Sequence, residues 1–206
     1  KEQNSDIFWA IRGCGPAFFG IISSYTLQLY DPFGTIMNSS YSYPGSELEN
    51  ILKFFDTRIL ETDDRVNHNI TLEKAPDTPD GFKVNISLQA FADPGPKSTI
   101  NAKKLLDWYS AEGLGVGSIE KSEYQVRTMA SLVYNEKNRM RTNTDNIYTD
   151  NTMCLMDFVE LFKTQPERPF LDLGLTINLQ KHPPMEDCCY STAGRHFLSA
   201  HFVWSD

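Results

Sequence analysis

The residues whose types and spacing best suit chemistry lie in the closing segment, His196-Phe-Leu-Ser-Ala-His-Phe-Val-Trp204. Side chains two apart on a strand face the same way. The segment therefore offers one face of His196, Leu198, Ala200, Phe202 and Trp204, and another of Phe197, Ser199, His201 and Val203. His201 is the titratable member of the second face, and an imidazole exchanges a proton near neutral pH. Ser199, two residues earlier, cannot act as a general base in that range. A histidine packed or hydrogen-bonded beside a core strand is the competing reading of His201.

A second pair is Tyr148 and Asp150, at i and i+2 on an expected strand. A phenol beside a carboxylate can share a proton-transfer role. In the competing reading Tyr148 is half-buried and Asp150 caps the next helix through its proximity to Asn151 and Thr152. Arg139 and Arg141 could meet an acidic substrate, or simply be solvated on a polar loop. His182-Pro-Pro lies in a long loop and receives no role.

At the other end, the aromatic-rich Asp6-Ile-Phe-Trp-Ala-Ile-Arg12 runs through Gly13-Cys-Gly15-Pro16 into Phe18-Phe-Gly-Ile-Ile22. Glycine lets a backbone turn sharply and lets a bulky ligand approach the main chain without a Cβ in the way. The combination suits a cofactor-binding loop, although a lone G-x-G is more often a plain buried turn.

Several elements must position these groups. Alternation over Ser23 to Leu29 predicts a half-buried strand. Ser46-Glu-Leu-Glu49 forms a capping box, and Leu48, Ile51, Leu52, Phe55 and Ile59 follow at helical spacing, so a helix is expected over 46–60. Residues 66–73 and 82–91 read as an antiparallel pair joined through Pro76 to Gly81, with one wet face. A helix is expected over Ser98 to Ala111, stopped by Gly113. A strand near 117–124, a short helix near 126–134, a strand near 145–150, a helix near 152–164, and strands at 170–180 and 196–204 complete the chain. This order gives an α+β domain, an antiparallel sheet covered on one face by helices.

Composition narrows the function classes. The 206 residues carry 19 basic and 27 acidic side chains, a net charge of −8. No basic cluster is larger than Lys103-Lys104 or the spaced Arg139 and Arg141, which argues against nucleic acid or anionic lipid as a partner. No apolar run reaches the ~20 residues of a spanning helix. Cys14, Cys154, Cys188 and Cys189 show no zinc-like spacing. The sequons at Asn38, Asn69 and Asn85 point toward secretion, although so Asn-rich a chain produces such triplets by chance. Lys1 is not an initiator methionine, and an N-terminus made by processing or by a cut within a longer protein is expected.

The opening stretch, D-I-F-W-A-I-R-G-C-G-P-A-F-F-G-I-I-S, resembles the signature near the end of the FAD-binding domain in FAD-linked oxidases of the vanillyl-alcohol-oxidase type, particularly the berberine-bridge-enzyme-like oxidases. The later element order is similar to their substrate-binding domain, with looser matches at Glu123-Tyr124, over Arg139 to Asp150, and in the closing strand ending W-x-D. The resemblance implies a C-terminal remnant of the FAD-binding domain at 1–35 and a substrate-binding domain at 36–206, with the crossing near 31–40. It implies FAD contacts at Gly15, Phe19, Gly20, Ile21 and Ile22. Cys14 departs from the Gly or Ala of many relatives.

The resemblance further implies oxidation of an alcohol, sugar or amine-type small molecule, with hydride passing to flavin and oxygen as the final acceptor. Many relatives place a Glu or Gln five residues before the strand's Trp; here that position is Ser199, which leaves His201 as the replacement base and Tyr148 as a second candidate. The family's pyrophosphate loop, its tethering His and the segment after W-x-D lie outside these residues. The remainder of the same polypeptide is then the expected partner, and this chain alone is expected to bind FAD poorly and to be inactive. The alternative is a non-catalytic binding or structural protein that retains the fold.

Overall fold

A computed structural model describes residues 3–14, 17–118, 120–127, 141–164, 170–177 and 196–204; over 141–146, 170–177 and 201–204 it is the backbone and its register that are described. Helix α1 spans Ser5–Ile11 and buries none of its residues. Strand β1 is Thr35–Pro44, helix α2 Leu48–Arg58, β2 Val66–Lys74, β3 Phe82–Ala92 and helix α3 Ser98–Ala111. Two short strands follow, β4 Glu120–Lys121 and β5 Gln125–Arg127. Then come β6 Arg141–Thr149, α4 Cys154–Asp157, α5 Val159–Thr164, β7 Phe170–Ile177 and β8 His196–Trp204.

The strands form an eight-stranded sheet in the order β4-β1-β3-β2-β7-β8-β6, with β5 also paired to β1. Every pairing is antiparallel. The β2–β3 hairpin turns through Ala75 to Gly81, whose ends are joined by a 3.0 Å bond from the Ala75 N–H to the Gly81 carbonyl. Gly81 sits at φ +73°, a left-handed conformation that a side chain would strain.

Period-two alternation divides the sheet. One face carries Tyr41, Tyr43, Val66, Ile70, Leu72, Val84, Ile86, Leu88 and Ala90, all buried in one core with Leu52 and Phe55 of α2, Leu106 and Tyr109 of α3, and Leu155 and Phe162 of α4 and α5. Each such aliphatic or aromatic side chain contributes roughly 1.5–3 kcal/mol on burial. On β1, β2 and β3 the opposite face carries Ser40, Asn67, Glu73 and Ser87, which are exposed, and Asn38, Asn69, Thr71, Asn85 and Gln89, which are half-buried. The expected α+β architecture, with helices on one side of an antiparallel sheet, is therefore present.

Several local expectations are corrected. Residues 21–33 form no strand, and Tyr25, Leu27 and Leu29 are exposed; alternation makes a strand only where another strand takes its hydrogen bonds. The sheet instead begins with β1, a strand that the sequence did not predict. The capping box does not close: Ser46 supplies no side-chain cap, and its N–H donates to Asp80 Oδ2 at 2.9 Å, so α2 starts from a 3₁₀ turn at Gly45–Glu47. The helix near 152–164 is two short helices, α4 and α5. Val126 and Arg127 belong to β5 rather than to a helix, and the rest of that expected helix lies outside the described residues.

Candidate functional site

Strand β8 runs between β7 and β6, so its residues from His196 to Val203 have a neighbour on both sides. On the face turned away from the helices, Phe197 stands between Thr176 and Tyr148, Ser199 between Gly174 and Asn146, and His201 between Asp172 and Thr144. These rows continue across β2, where Asn69 pairs with Thr176 and Thr71 with Gly174. On the helix-covered face, His196 stands between Ile177 and Thr149, and Leu198 between Leu175 and Ile147. His196 and Leu198 are buried, as alternation requires.

The two catalytic candidates share a face without sharing a row. Tyr148 packs its ring against Phe197, centroids 5.2 Å apart and planes at 62°. His201 lies four positions beyond Phe197 along β8, roughly 13 Å at strand rise. Tyr148 is half-buried. Ser199 lies between them and is 6% exposed. Asp150 is exposed; beside it Asn151 Oδ1 accepts the Met153 N–H at 3.0 Å, and Thr149 Oγ1 accepts the Asn151 N–H at 3.0 Å.

Two residues that the sequence reading did not single out stand in this arrangement. Asp172 is the β7 neighbour of His201, and Phe197 is the ring beside Tyr148. Alternation alone gave the faces of β8; the identity of the neighbours required the register.

The candidate cofactor residues occupy the segment after α1. Phe19 is 79% exposed and Ile21 99% exposed, while Ile22 is half-buried. Phe18 and Phe19 pack with centroids 4.9 Å apart, and a Cβ at Gly20 would come within 2.8 Å of the Phe18 ring. A side chain at Gly20 would therefore require the Phe18 ring to move. Gly15, Arg139, the His182-Pro-Pro loop and Cys188-Cys189 lie outside the described residues. Exposed apolar side chains around a glycine fit one wall of a contact with a flat aromatic cofactor. Among the described residues no group of three or more His, Cys, Asp or Glu could hold a metal, and no helix is long and apolar enough to cross a membrane.

Elsewhere the electrostatics are structural. Lys103 Nζ donates to Asp107 Oδ2 at 2.7 Å, and the Tyr124 hydroxyl donates to Asp107 Oδ1 at 2.7 Å. Lys103 foremost, then Tyr124, holds the Asp107 carboxyl below its ordinary range. Burial, and then the Asp107 carboxylate, pushes the Tyr124 phenol up. Burial likewise raises the Cys154 thiol, the opposite of what a reactive thiolate needs.

No protein-family description matches the chain. Among curated proteins it is similar to the FAD-linked oxidoreductase azaL of Aspergillus niger, 42% identical over 58 residues, 27% of this chain and 12% of that protein. Among solved structures, a berberine-bridge-enzyme-like protein of Arabidopsis thaliana superposes with a TM-score of 0.66 at 17% identity, covering 97% of this chain and 43% of the other. A variant of a berberine-bridge-enzyme-like protein of Physcomitrella patens gives 0.67 at 12% identity, covering 100% and 47%. The chain has the fold of part of the berberine-bridge-enzyme-like FAD oxidases, and the curated proteins it matches are FAD-linked oxidoreductases. It spans less than half the length of the two solved structures and about an eighth of the Aspergillus niger protein.

Proposed function

We propose that this chain is the substrate-binding part of an FAD-dependent oxidase that oxidises an alcohol, sugar or amine-type small molecule, with oxygen as the final acceptor. The observation that carries the reading is the sheet itself. Helices cover one face, while the other presents Tyr148, Phe197 and a series of amides and hydroxyls along antiparallel strands. Such a face can roof a reaction centre built largely by another part of the polypeptide. Residues 1–35 are read as the end of the FAD-binding domain and 36–206 as the substrate domain. The curated relatives favour an oxidoreductase over a non-catalytic protein of the same fold.

In this reading Gly15, Phe19, Gly20, Ile21 and Ile22 would hold one side of the FAD. The flavin, when bound, accepts hydride from a substrate C–H. His201 is the group on this chain that would take the substrate's O–H or N–H proton as that bond is oxidised, and Tyr148 with Phe197 would supply an aromatic wall that excludes water. The chain alone is expected to be inactive, because the remainder of the FAD site lies on other residues.

The test is the full-length protein. It should purify yellow, with flavin absorbance at about 450 nm, and release hydrogen peroxide with at least one of glucose, a benzylic alcohol or a secondary amine. A colourless protein that stays colourless with added FAD would end the oxidase reading.

A further inference from the structure

The face that carries Tyr148 and Phe197 runs on across β7 to β2, β3 and β1 in continuous antiparallel register. One row there is Gln125, Asn38, Gln89 and Asn67, on β5, β1, β3 and β2. The next is Ser40, Ser87 and Asn69, and it continues through position 176 of β7 to Phe197 and Tyr148. A third is Ser42, Asn85 and Thr71. On β5, β1, β3 and β2 these rows hold amides and hydroxyls alone. Charged residues stand at the borders: Arg127 beside Ile36, Glu120 beside Ser42, and Glu73 opposite Lys83.

Aromatic rings stand at two corners of this polar field. Phe197 and Tyr148 hold one. At the other, Phe91 of β3 pairs with Ile36 and packs its ring on Phe33, centroids 4.9 Å apart, with Phe33 43% exposed. Three strand spacings and four residues of strand rise set Phe91 and Phe197 roughly 19 Å apart. Part of the field between them is tied internally. Gln89 Nε2 donates to Asn38 Oδ1 at 3.1 Å, Asn85 Nδ2 to Glu73 Oε2 at 2.6 Å, and Ser40 Oγ to Ser122 Oγ at 2.9 Å. Among the described residues no side-chain hydrogen bond engages Asn67, Asn69 or Ser87.

An amide offers two N–H donors and an oxygen with two lone pairs, and a hydroxyl offers one donor and an acceptor. An uncharged ligand with many hydroxyls and exposed C–H faces matches that pattern, its hydroxyls meeting the amides and its C–H faces lying on the aromatic rings. A site for an apolar small molecule would instead be lined mainly by hydrophobic side chains. We propose that the β1–β3–β2 half of this face is a subsite for the non-reacting rings of a short neutral oligosaccharide whose terminal ring lies against Tyr148 and Phe197. The chemistry at that ring rests on the reading of the whole protein as an FAD-dependent oxidase. There a hydroxyl-bearing carbon gives its hydride, with both electrons, to the flavin and its O–H proton to the base, leaving a carbonyl.

The test measures binding apart from chemistry. Full-length protein, its flavin reduced under anaerobic conditions, is titrated calorimetrically with glucose and with the glucose trisaccharides cellotriose and maltotriose. At least one trisaccharide should bind about tenfold tighter than glucose, since each added hydrogen bond contributes a few-fold. Asn67→Ala and Asn69→Ala should each weaken that trisaccharide about fivefold, and Asp56→Asn, on an exposed position of α2, should not. Trisaccharides that bind no tighter than glucose, or binding that both asparagine variants leave intact, overturn the subsite. The oxidase reading fails separately. A colourless protein whose trisaccharide binding is weakened by Asn67→Ala keeps the subsite and removes the oxidase. A yellow protein that releases peroxide from a benzylic alcohol and binds neither trisaccharide keeps the oxidase and removes the subsite.

Discussion

Tyr148 and Phe197 lie opposite each other on β6 and β8, their rings tilted at 62° with centroids 5.2 Å apart. An edge-to-face pair of this kind adds ~0.5–1.5 kcal/mol beyond area burial. The phenol therefore already has a packing role that needs no hydroxyl. Tyr148→Phe keeps the ring contact and is expected to lower kcat no more than a few-fold, whereas Tyr148→Ala should lose the aromatic contribution. Urea unfolding and steady-state kinetics on the two variants check this. A hundredfold fall in kcat with Tyr148→Phe at unchanged stability would instead make the hydroxyl part of the proton transfer.

A second polar pair sits inside the core. His68 Nε2 is hydrogen-bonded to the Tyr109 hydroxyl, joining β2 to α3, and both residues are buried. Burial foremost, with the Asp63 carboxylate adding to it and the Thr62 hydroxyl opposing it, raises the Tyr109 phenol, which stays protonated through the physiological range. Tyr109→Phe deletes the hydroxyl bonded to Nε2 in an apolar layer beside Phe55. The expected loss is ~1–3 kcal/mol, read as a lower urea midpoint with an unchanged slope. A variant as stable as the parent would show that the pair is exchanged for another partner at no cost.

The elements most legible in the sequence were those whose pattern and termination agree. Helix α3 has an apolar stripe of Ala102, Leu106 and Tyr109 and stops before Gly113, which adopts φ +105°. Strand β8 alternates over nine residues and was bounded correctly at both ends. Strand β1 was missed because its polar face is serine-rich: Ser40 and Ser42 interleave with Tyr41 and Tyr43 and imitate a linker. Ser23 to Leu29 showed the same alternation and is not a strand, because the period describes a ribbon while its stability comes from paired neighbours. For the candidate site, period two fixed which β8 residues share a face. Asp172 beside His201 and Phe197 beside Tyr148 depend on register, which long-range pairing sets and local sequence does not.

Asp107 gives a pH-dependent expectation. Lys103 and Tyr124 both bond its carboxylate, and its pKa is depressed in the fold, chiefly through Lys103. A group with a depressed folded pKa contributes stability that is present above its unfolded value, about 3.9, and is lost as pH falls through the folded value. The carboxyl is 44% exposed, so solvent screening limits the contribution to a few tenths of a kcal/mol. Asp107→Asn should therefore lower the urea midpoint slightly near neutral pH and converge with the parent as pH falls toward ~3. A constant gap across that range would assign the effect to packing with Tyr124 rather than to charge.

The three sequons occupy a single surface. Asn38, Asn69 and Asn85 lie within β1, β2 and β3, on the polar face opposite the helices. Gln89 Nε2 donates to Asn38 Oδ1 at 3.1 Å, and Asn85 Nδ2 donates to Glu73 Oε2 at 2.6 Å, so two of the amides already have side-chain partners within the sheet. All three are half-buried mid-strand positions, whereas glycan acceptors belong to surface loops. A glycan on any of them would also stand on the face proposed to meet the flavin and its substrate. Secreted full-length protein is therefore expected to show unmodified Asn38, Asn69 and Asn85 in peptide mass spectra, and Asn85→Gln should leave its electrophoretic mobility unchanged. A glycan at Asn69 or Asn85 in protein that still turns over would mean that this part of the sheet faces solvent, confining the reaction centre to the β7–β8–β6 side that carries His201.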